Sequence, residues 1–138
     1  MTARLWPPAS EEAAPFWEAS RVGELVLPWC RECERPFWYP RATCPRCLSD
    51  AIEWRAATGN GVVYAVSVQH LPGPGRDASD GPYVVVLVDL DEGVRVTANV
   101  LECAPDAVHV GMPVRATWEP LSDGRQLLQF APRESSRE

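Results

Sequence analysis

The chain has 138 residues, enough for one ordinary domain or two small ones. Hydrophobic residues make up 46% and charged residues 23%, a balance typical of a folded protein rather than a disordered one. No apolar run approaches the length of a membrane-spanning helix, and the first twelve residues, MTARLWPPASEE, lack the apolar region of a secretory signal. We therefore expect a cytoplasmic protein that does not enter a membrane.

The net charge of −6 is concentrated in the second half of the chain. Residues 1–59 hold seven arginines and eight acids, whereas residues 60–138 hold six arginines and eleven acids. Lysine is absent, so every basic residue is an arginine, the better side chain for forked recognition of phosphate or carboxylate. The acidic second half disfavours contact with nucleic-acid phosphates.

The first predicted element is a helix that ends near Gly23. Ser10 is placed to cap its amino terminus, and Glu11 and Glu12 suit its first turn. Pro15 predicts that the helix begins close to that residue or is kinked there, because proline lacks the backbone N–H of a helix interior.

Two Cys-x-x-Cys pairs follow a short predicted strand over residues 24–29. Cys30 and Cys33 form the first pair, and Cys44 and Cys47 form the second. A Cys-x-x-Cys turn aims both sulfurs at one point, and two such turns supply the four thiolates of a structural zinc site. The alternatives are disulfides, which the missing signal peptide disfavours, a redox pair, which two dithiols so close together disfavour, and iron in the same thiolate cage. We therefore predict one structural Zn²⁺ on these four cysteines.

Two runs of consecutive aromatic residues lie in the predicted helix and between the cysteine pairs. Phe16 and Trp17 are neighbours on the predicted helix, where consecutive side chains point about 100° apart, so they cannot share one face. They either cover a small core or leave one ring for a partner protein, and both interpretations stay open. Phe37, Trp38 and Tyr39 lie between two prolines. Since side chains of an extended segment alternate in direction, we predict that one of the three faces outward, and we select Trp38.

From residue 61 onward the sequence is rich in strands. A strand over residues 51–58 leaves the zinc-binding segment, and five more are predicted over 61–71, 83–91, 94–102, 114–121 and 126–132. A mobile loop is expected over 72–82, and a short helical turn between the third and fourth of the five. Hairpins with one irregular connection favour a five-stranded barrel of the OB type over a loose antiparallel sandwich.

The predicted fold is therefore mainly β and is divided into four parts. They are an N-terminal arm and helix over residues 1–23, a zinc ribbon over 24–55, an OB-fold barrel over 56–132 and a polar tail over 133–138. The strand over 51–58 is a candidate for sharing between the ribbon and the barrel.

The sequence offers no group typical of a catalytic centre. The two histidines, His70 and His109, have no nucleophile or orienting carboxylate at a recognisable spacing. Cys103 is more typical of a small buried apolar residue than of a nucleophile. The acids of DLDEG over 89–93 are those that a hairpin turn uses. We predict that the isolated chain is not an enzyme.

Single-stranded nucleic acid is the alternative ligand that this architecture suggests. Zinc ribbons and OB barrels both occur in nucleic-acid-binding proteins. The ribbon is locally basic, with four arginines against two glutamates: Arg31, Arg35, Arg41, Arg46, Glu32 and Glu34. These arginines suit a nucleic-acid strand, the phosphates of a nucleotide-like cofactor or an acidic patch on a partner equally well. The acidic barrel makes nucleic acid the less favoured partner.

The order of the motifs closely resembles one known family. PFWEASRVGEL, LPWCREC, PRATCPRC and EWRAATGNGVVYAVSVQH follow one another, and PYVVVLVDLDEGVRVTANV, VGMPVRATWE and LLQFAP complete the pattern from about residue 11 to residue 132. This pattern is similar to that of the acyl-CoA-associated zinc-ribbon/OB-fold family, long catalogued as a domain of unknown function. The resemblance implies an N-terminal helical element, a rubredoxin-like zinc ribbon and a C-terminal OB fold.

The resemblance also implies a role as a non-catalytic companion subunit. Members of that family bind and stabilise thiolase-fold enzymes, including lipid-transfer-protein-like thiolases and aldolases, and help to form their acyl-CoA sites. Some work beside MaoC-type enoyl-CoA hydratases in steroid side-chain degradation. On this basis Phe16, Trp17 and Trp38 are candidate contacts for the enzyme partner. Arg41 and Arg46 are candidates for binding a CoA phosphate or a partner carboxylate.

The sequence departs from the family pattern at two positions. The family often has glycine after the second cysteine of each pair, where the turn favours a positive φ. Here those positions hold Glu34 and Leu48. All four thiols remain, so the departure bears on the geometry of the turns and not on the predicted zinc ligation.

Overall fold

The computed structural model describes residues 7–73 and 76–134. The helix is α1 (Ala14–Ser20), and the strands are β1 (Val26–Cys30), β2 (Arg35–Pro36), β3 (Ile52–Ala56), β4 (Asn60–Gln69), β5 (Tyr83–Leu90), β6 (Arg95–Asn99), β7 (Pro113–Pro120) and β8 (Gln126–Pro132). Short 3₁₀ turns lie at Ala78–Asp80 and Pro105–Ala107, the second where a helical turn was predicted. Within these ranges, no helix has the length and apolarity to cross a membrane.

Helix α1 is shorter than the sequence suggests, because it begins at its proline. Its N-cap residue is Ala13, with no capping side chain, and Pro15 lies in the first turn, where its fixed φ favours the helix. The prediction of Ser10 as the cap is wrong: the Ser10 carbonyl instead accepts the Ala13 N–H at 3.2 Å in the preceding turn. Gly23 ends the segment as predicted, with a φ of 73°.

The ribbon is a three-stranded antiparallel sheet in the order β2-β1-β3. β2 spans two residues and was not predicted, since a strand of that length has no sequence pattern of its own. β3 pairs with β1 along its whole length, from Val26 opposite Ala56 to Cys30 opposite Ile52. β3 therefore belongs to the ribbon sheet and is not part of the barrel sheet.

The barrel is a five-stranded antiparallel sheet in the order β6-β5-β4-β7-β8. It nearly closes on itself, because Val100 after β6 forms a parallel bridge with Phe130 of β8. The Leu101 N–H adds a hydrogen bond to the Phe130 carbonyl at 2.7 Å. This closure confirms the predicted OB-type barrel and excludes the loose sandwich.

One hydrophobic core joins the helix, the ribbon and the barrel. Strand β5 alternates buried and half-buried residues along its length, as a strand with one face on the core does. Phe16 of α1 and Leu27 of the ribbon belong to the same buried cluster as Val63 and Phe130 of the barrel. A zinc ribbon has little apolar volume of its own, so packing against the barrel supplies what it lacks.

Two glycines allow the segment that connects the ribbon to the barrel to pack closely against β5 and β7. Gly59 has a φ of 87°, and a Cβ added there would lie 3.0 Å from the Ala116 Cβ. Gly61 packs so closely on β5 that an added Cβ would lie 2.7 Å from the Asp89 carbonyl oxygen. The predicted GNG turn is therefore required both by backbone conformation and by close approach.

Candidate functional site

The four predicted metal ligands converge in the ribbon. The sulfurs of Cys30, Cys33, Cys44 and Cys47 all lie within 4.8 Å of one another. The Cys30–Cys47 and Cys33–Cys44 sulfur pairs are 3.6 Å and 3.9 Å apart. Both distances greatly exceed the roughly 2.05 Å of a disulfide, so the thiols are free.

Those distances fit a tetrahedral metal centre. Four sulfurs about 2.3 Å from a zinc ion are about 3.8 Å apart from one another in a tetrahedron. The residues present therefore suit one Zn²⁺, and the four cysteines are the residues that would hold it. Four thiolates leave no coordination position for water, so a zinc ion held here has a structural role and not a catalytic one.

The two cysteine turns are built alike. The Glu34 N–H donates to the Cys30 carbonyl at 2.8 Å, and the Leu48 N–H donates to the Cys44 carbonyl at 2.9 Å. Glu34 and Leu48 take φ values of 58° and 66°, the conformation that glycine usually supplies at this place. The turns therefore keep the geometry of a zinc knuckle even though neither position holds glycine.

The thiols affect one another's ionisation strongly. Burial raises the pKa of Cys44, but backbone N–H donors from Cys47 and Arg46 outweigh it and lower that pKa to about 6. Ser49 lowers the pKa of Cys47, but the neighbouring sulfur of Cys33 and burial raise it to about 12. One thiolate thus forms at the expense of another, and a divalent cation removes this conflict.

A second feature is an apolar groove where the helix, the ribbon and the barrel meet. It has a volume of about 430 Å³. We call it the aromatic groove, and it is lined by Pro7, Pro8, Ser10, Ala13, Phe16, Trp17, Trp38, Tyr39, Pro40, Val96, Thr97, Leu127 and Leu128. The structure thus brings the three aromatic residues predicted to contact a partner into a single depression.

The rings in the aromatic groove pack edge to face. Phe16 lies 4.9 Å from Trp17 and 5.3 Å from Trp38 between ring centroids. Phe16 is only 6% exposed, so its ring forms the floor of the groove and is a core residue first. Trp17 and Trp38 are half-buried and form its walls. The interpretation that the helix covers a core is therefore correct for Phe16.

The prediction that Trp38 faces outward is wrong. Tyr39 is the outward ring, 58% exposed, whereas Trp38 packs against the core. The prediction assumed an extended segment with alternating side chains. The strand ends at Pro36 instead, and residues 38–39 form a bend, so strict alternation no longer applies.

Helix α1 is held on the β7–β8 turn by buried polar contacts. Ser20 is fully buried; its hydroxyl accepts the Gln126 N–H at 3.2 Å, and its carbonyl accepts the Gln126 amide at 2.9 Å. The Arg125 guanidinium is buried over the Trp17 ring, 4.7 Å from its centroid, and pairs with Asp123 at 2.6 Å. These contacts fix the position of Trp17 in the groove wall.

The two predicted anion-binding arginines have different surroundings. The Arg46 guanidinium donates to the carbonyls of Arg35 and Pro36 at 3.4 Å and 3.2 Å, so it partly serves to hold β2. Arg41 is exposed and has no ion pair or hydrogen bond among the residues described. Arg41 is therefore the freer of the two for an anionic group on another molecule.

The remaining residues considered for catalysis do not form a site. His70 and His109 are exposed, and Cys103 is half-buried against the core. Asp89 is occupied by a forked pair with Arg95 at 2.6 Å and 3.2 Å. Among the residues described, the cysteine cluster is the one group of three or more potential metal ligands.

Sequence reasoning missed the barrel side of the aromatic groove. Val96 and Thr97 of β6 and Leu127 and Leu128 of β8 line it. β6 and β8 become neighbours only when the barrel closes, so no local sequence pattern predicts that their side chains lie together. The consecutive leucines of β8 were the available hint, since one of two neighbours on a strand must face away from the core.

Comparison with known proteins matches both halves of the chain to one family. Residues 17–53 match the family described as "ChsH2, rubredoxin-like zinc ribbon domain". Residues 54–119 match the family described as "ChsH2, C-terminal OB-fold domain". The boundary between the two matches falls within β3.

Three curated relatives are about one-third identical to the chain. A probable enoyl-CoA hydratase alpha subunit of Thermomonospora curvata is 38% identical over 112 residues, which is 80% of this chain and 34% of that protein. The 3-oxo-4,17-pregnadiene-20-carboxyl-CoA hydratase alpha subunit of Mycobacterium tuberculosis is 33% identical over 84% of this chain and 36% of its own. A DUF35 domain-containing scaffold protein of Methanocaldococcus jannaschii is 32% identical over 68% of this chain and 67% of its own. The chain thus spans about a third of the length of the hydratase subunits.

A solved structure matches almost from end to end. A chain of the structure described as "Ltp2-ChsH2(DUF35) aldolase" superposes with a TM-score of 0.80 at 34% identity. The match covers 92% of this chain and 98% of that one. With its rubredoxin-like zinc ribbon, its OB barrel and these relatives, the chain belongs to the ChsH2/DUF35 family.

Proposed function

We propose that this protein is a non-catalytic accessory subunit that binds and stabilises an acyl-CoA enzyme, and that its zinc site is structural. The observation that carries the proposal is the nearly full-length likeness to a chain of an aldolase named for two components. Two further relatives are named as alpha subunits of CoA hydratases, one acting on a steroid-derived CoA thioester. We infer a thiolase-fold or lipid-transfer-protein-like aldolase partner, with a MaoC-type hydratase as the second candidate.

The surface supports a partner-binding role better than a catalytic one. The aromatic groove offers Trp17, Trp38 and Tyr39 around a depression of about 430 Å³. Aromatic rings around an apolar depression are typical of the centre of a protein interface. We assign this groove to the enzyme partner, with Phe16 as its floor. Arg41 is assigned to a carboxylate of the partner or a CoA phosphate near the groove, with Arg46 as the second candidate.

The test is assembly with a purified thiolase-fold acyl-CoA enzyme. We expect the two chains to elute together from a sizing column, and the isolated chain to leave acyl-CoA thioesters unchanged. Turnover by the isolated chain, or salt-sensitive binding to single-stranded oligonucleotides without binding to any acyl-CoA enzyme, contradicts the proposal.

The groove can be tested without disturbing the core. Thr97→Arg places a charge on an exposed position of the groove wall, so we expect it to weaken the complex by about tenfold or more. Ala107→Arg adds the same charge at an exposed position outside the groove lining and is the matched control. Equal affinities for the two variants would place the partner elsewhere.

A further inference from the structure

The pairing of β1 with β3 determines which backbone groups of β3 face outward. The Arg31 N–H donates to the Ala51 carbonyl, and the Ala57 N–H donates to the Leu25 carbonyl, each at 2.9 Å. In an antiparallel pair, hydrogen-bonded positions alternate with positions whose N–H and C=O point away. With this register, the odd-numbered residues of β3 bond to β1 and the even-numbered ones face the other side.

The outward edge of β3 is therefore open. Trp54 and Ala56 direct their N–H and C=O groups away from β1, and neither has a hydrogen-bond partner there among the residues described. The opposite edge of the same sheet is different, since β2 is two residues long and ends in Pro36. Short strands and proline protect an edge against strand addition, and β3 has neither protection.

A side-chain cleft runs beside this open edge. Its volume is about 310 Å³. We call it the Arg41 cleft, and it is lined by Glu11, Glu12, Pro15, Arg41, Ala42, Ile52 and Trp54. An edge strand beside a side-chain cleft is the arrangement in which an added strand gains affinity from its backbone and specificity from alternate side chains.

The cleft carries mixed charge, since Glu11 and Glu12 line it together with Arg41, so an acidic group fits only directly beside Arg41. Arg41 is exposed on one wall with no ion pair among the residues described, while Ile52 and Trp54 supply apolar surface. The adjacent Pro40 lines the aromatic groove, so the cleft and the groove form neighbouring parts of one surface. A partner seated in the groove therefore passes close to β3.

We propose that the outer edge of β3 receives an extended segment of the partner acyl-CoA enzyme as a fourth strand of the ribbon sheet. Its backbone pairs with Trp54 and Ala56. One apolar side chain enters the Arg41 cleft, and a carboxylate on the same face binds Arg41. This inference rests on the proposed function, and it adds the mode of binding and the chemistry of the segment.

The decisive variant is Ala56→Pro. Proline removes only the outward N–H of Ala56 and leaves the β1–β3 hydrogen bonds intact, so the ribbon keeps its zinc and its melting temperature. We expect the complex to weaken by about tenfold, since one interface hydrogen bond and the close approach of the added strand are lost. Ala56→Val keeps the N–H and suits a strand, and we expect it to bind like the wild type.

Hydrogen exchange provides a measurement without any substitution. The amides of Trp54 and Ala56 should exchange rapidly in the free chain and at least about tenfold more slowly in the complex. The amide of Arg55 bonds to β1 in this register and should be protected in both states, which makes it the internal reference. Unchanged exchange at Trp54 and Ala56 in the complex overturns the proposal.

Charge reversal tests the side-chain part of the inference. Arg41→Glu should weaken the complex by about tenfold, because it sets like charges against each other, and Arg35→Glu is the matched exposed arginine on the same ribbon. If the wild-type chain binds no acyl-CoA enzyme, the proposed function itself fails. If it binds and Ala56→Pro binds equally well, only the strand-addition inference fails. The inference also fails if the free wild-type chain is a dimer and Ala56→Pro makes it a monomer, because a second copy of the chain then occupies the edge of β3.

Discussion

The arginines of this chain act as stacking partners as much as charges. Arg55 lies 4.4 Å from the Trp29 ring centroid, and Arg95 lies 3.4 Å from that of Tyr64. Arg125 covers Trp17 in the same way. A flat guanidinium stacks on an aromatic ring while its edge still forms hydrogen bonds, which a lysine ammonium does not match. The composition alone linked the exclusive use of arginine to anion recognition. The structure shows a second use, which is stacking on aromatic rings.

Leu48 is a position where glycine should stabilise the protein. It holds a φ of 66° and is 74% exposed, so its side chain gains little from packing. Leu48→Gly relieves a backbone cost of about 1 kcal/mol, partly offset by the greater freedom of glycine in the unfolded chain. We expect a net gain of a few tenths to about 1 kcal/mol in chemical denaturation of the zinc-loaded protein. Leu48→Ala keeps the strained conformation and is the control. If alanine raises the stability as much as glycine does, relief of backbone strain is not the cause.

Asp123 gives the fold a pH dependence with a defined sign. Burial raises the pKa of Asp123, but the Arg125 backbone N–H and guanidinium outweigh it, so the pKa lies below its ordinary 3.8. A carboxyl whose folded pKa is depressed stabilises the fold above its unfolded pKa, and the contribution is lost as the pH falls through the folded pKa.

We therefore expect Asp123→Asn to be less stable than the wild type near pH 7. The difference in unfolding free energy should shrink as the pH falls below about 4. Acid also protonates the zinc ligands of both proteins, so the quantity to follow is the difference between them. Asp106→Asn, at an exposed carboxyl, is the control. If the difference in unfolding free energy between Asp123→Asn and the wild type does not change with pH, the substitution acts through packing and not through ionisation.

Amide side chains form hydrogen bonds across the seam, the line between β6 and β8 where the barrel closes. Gln129 of β8 is 3% exposed. Its oxygen accepts the Asn99 N–H at 2.7 Å, and its nitrogen donates to the Asn99 side chain at 3.2 Å and to Glu119 at 2.9 Å. The seam thus gains side-chain hydrogen bonds where β6 and β8 share few backbone ones.

Removing that amide should open the seam. We expect Gln129→Ala to cost about 1–3 kcal/mol, because it leaves half-buried polar groups of Asn99 and Glu119 with fewer partners. Urea unfolding followed by circular dichroism measures the loss. Gln69→Ala removes an amide whose hydrogen bond to Ser67 is exposed, and we expect a change within about 0.5 kcal/mol there. Similar losses at both positions would argue against a special role for the seam.

The ribbon that carries the cysteine cluster shares one core with the barrel, so the stability of the two should not be independent. The ribbon contributes Leu25 and Leu27 to the cluster that contains Val63 and Phe130. A structural zinc ion supplies on the order of 10 kcal/mol of binding free energy, far more than a ribbon of this size gains from packing. Loss of zinc should therefore unfold the ribbon first and then lower the stability of the barrel.

The corresponding variants are Cys44→Ser and Cys103→Ser. We expect one zinc per chain by elemental analysis in the wild type and in Cys103→Ser, and none in Cys44→Ser. Amide exchange in Cys44→Ser should accelerate most in β1 and β3 and by less in β5. Zinc retained by Cys44→Ser, or a ribbon that stays protected after chelation, would contradict a structural role for the metal.

Features whose causes lie close together along the chain could be predicted from the amino-acid sequence. The cysteine spacing predicted the convergence of four sulfurs, because each pair lies within one turn. The alternation of apolar residues predicted the barrel strands to within a few residues, and GNG predicted the tight passage between the two sheets.

Features that depend on residues distant in the sequence could be seen only in the folded chain. It placed Phe16 in the core, where the ring packs against Trp38 and against Trp118 of the barrel, and it left Tyr39 outward. It assigned Arg46 partly to β2 and gave Arg41 no ion pair within residues 7–73 and 76–134. It also left the edge of β3 open, since a hydrogen-bond register exists only between two strands. Local spacing fixes ligands and turns, whereas exposure is a property of the assembled surface.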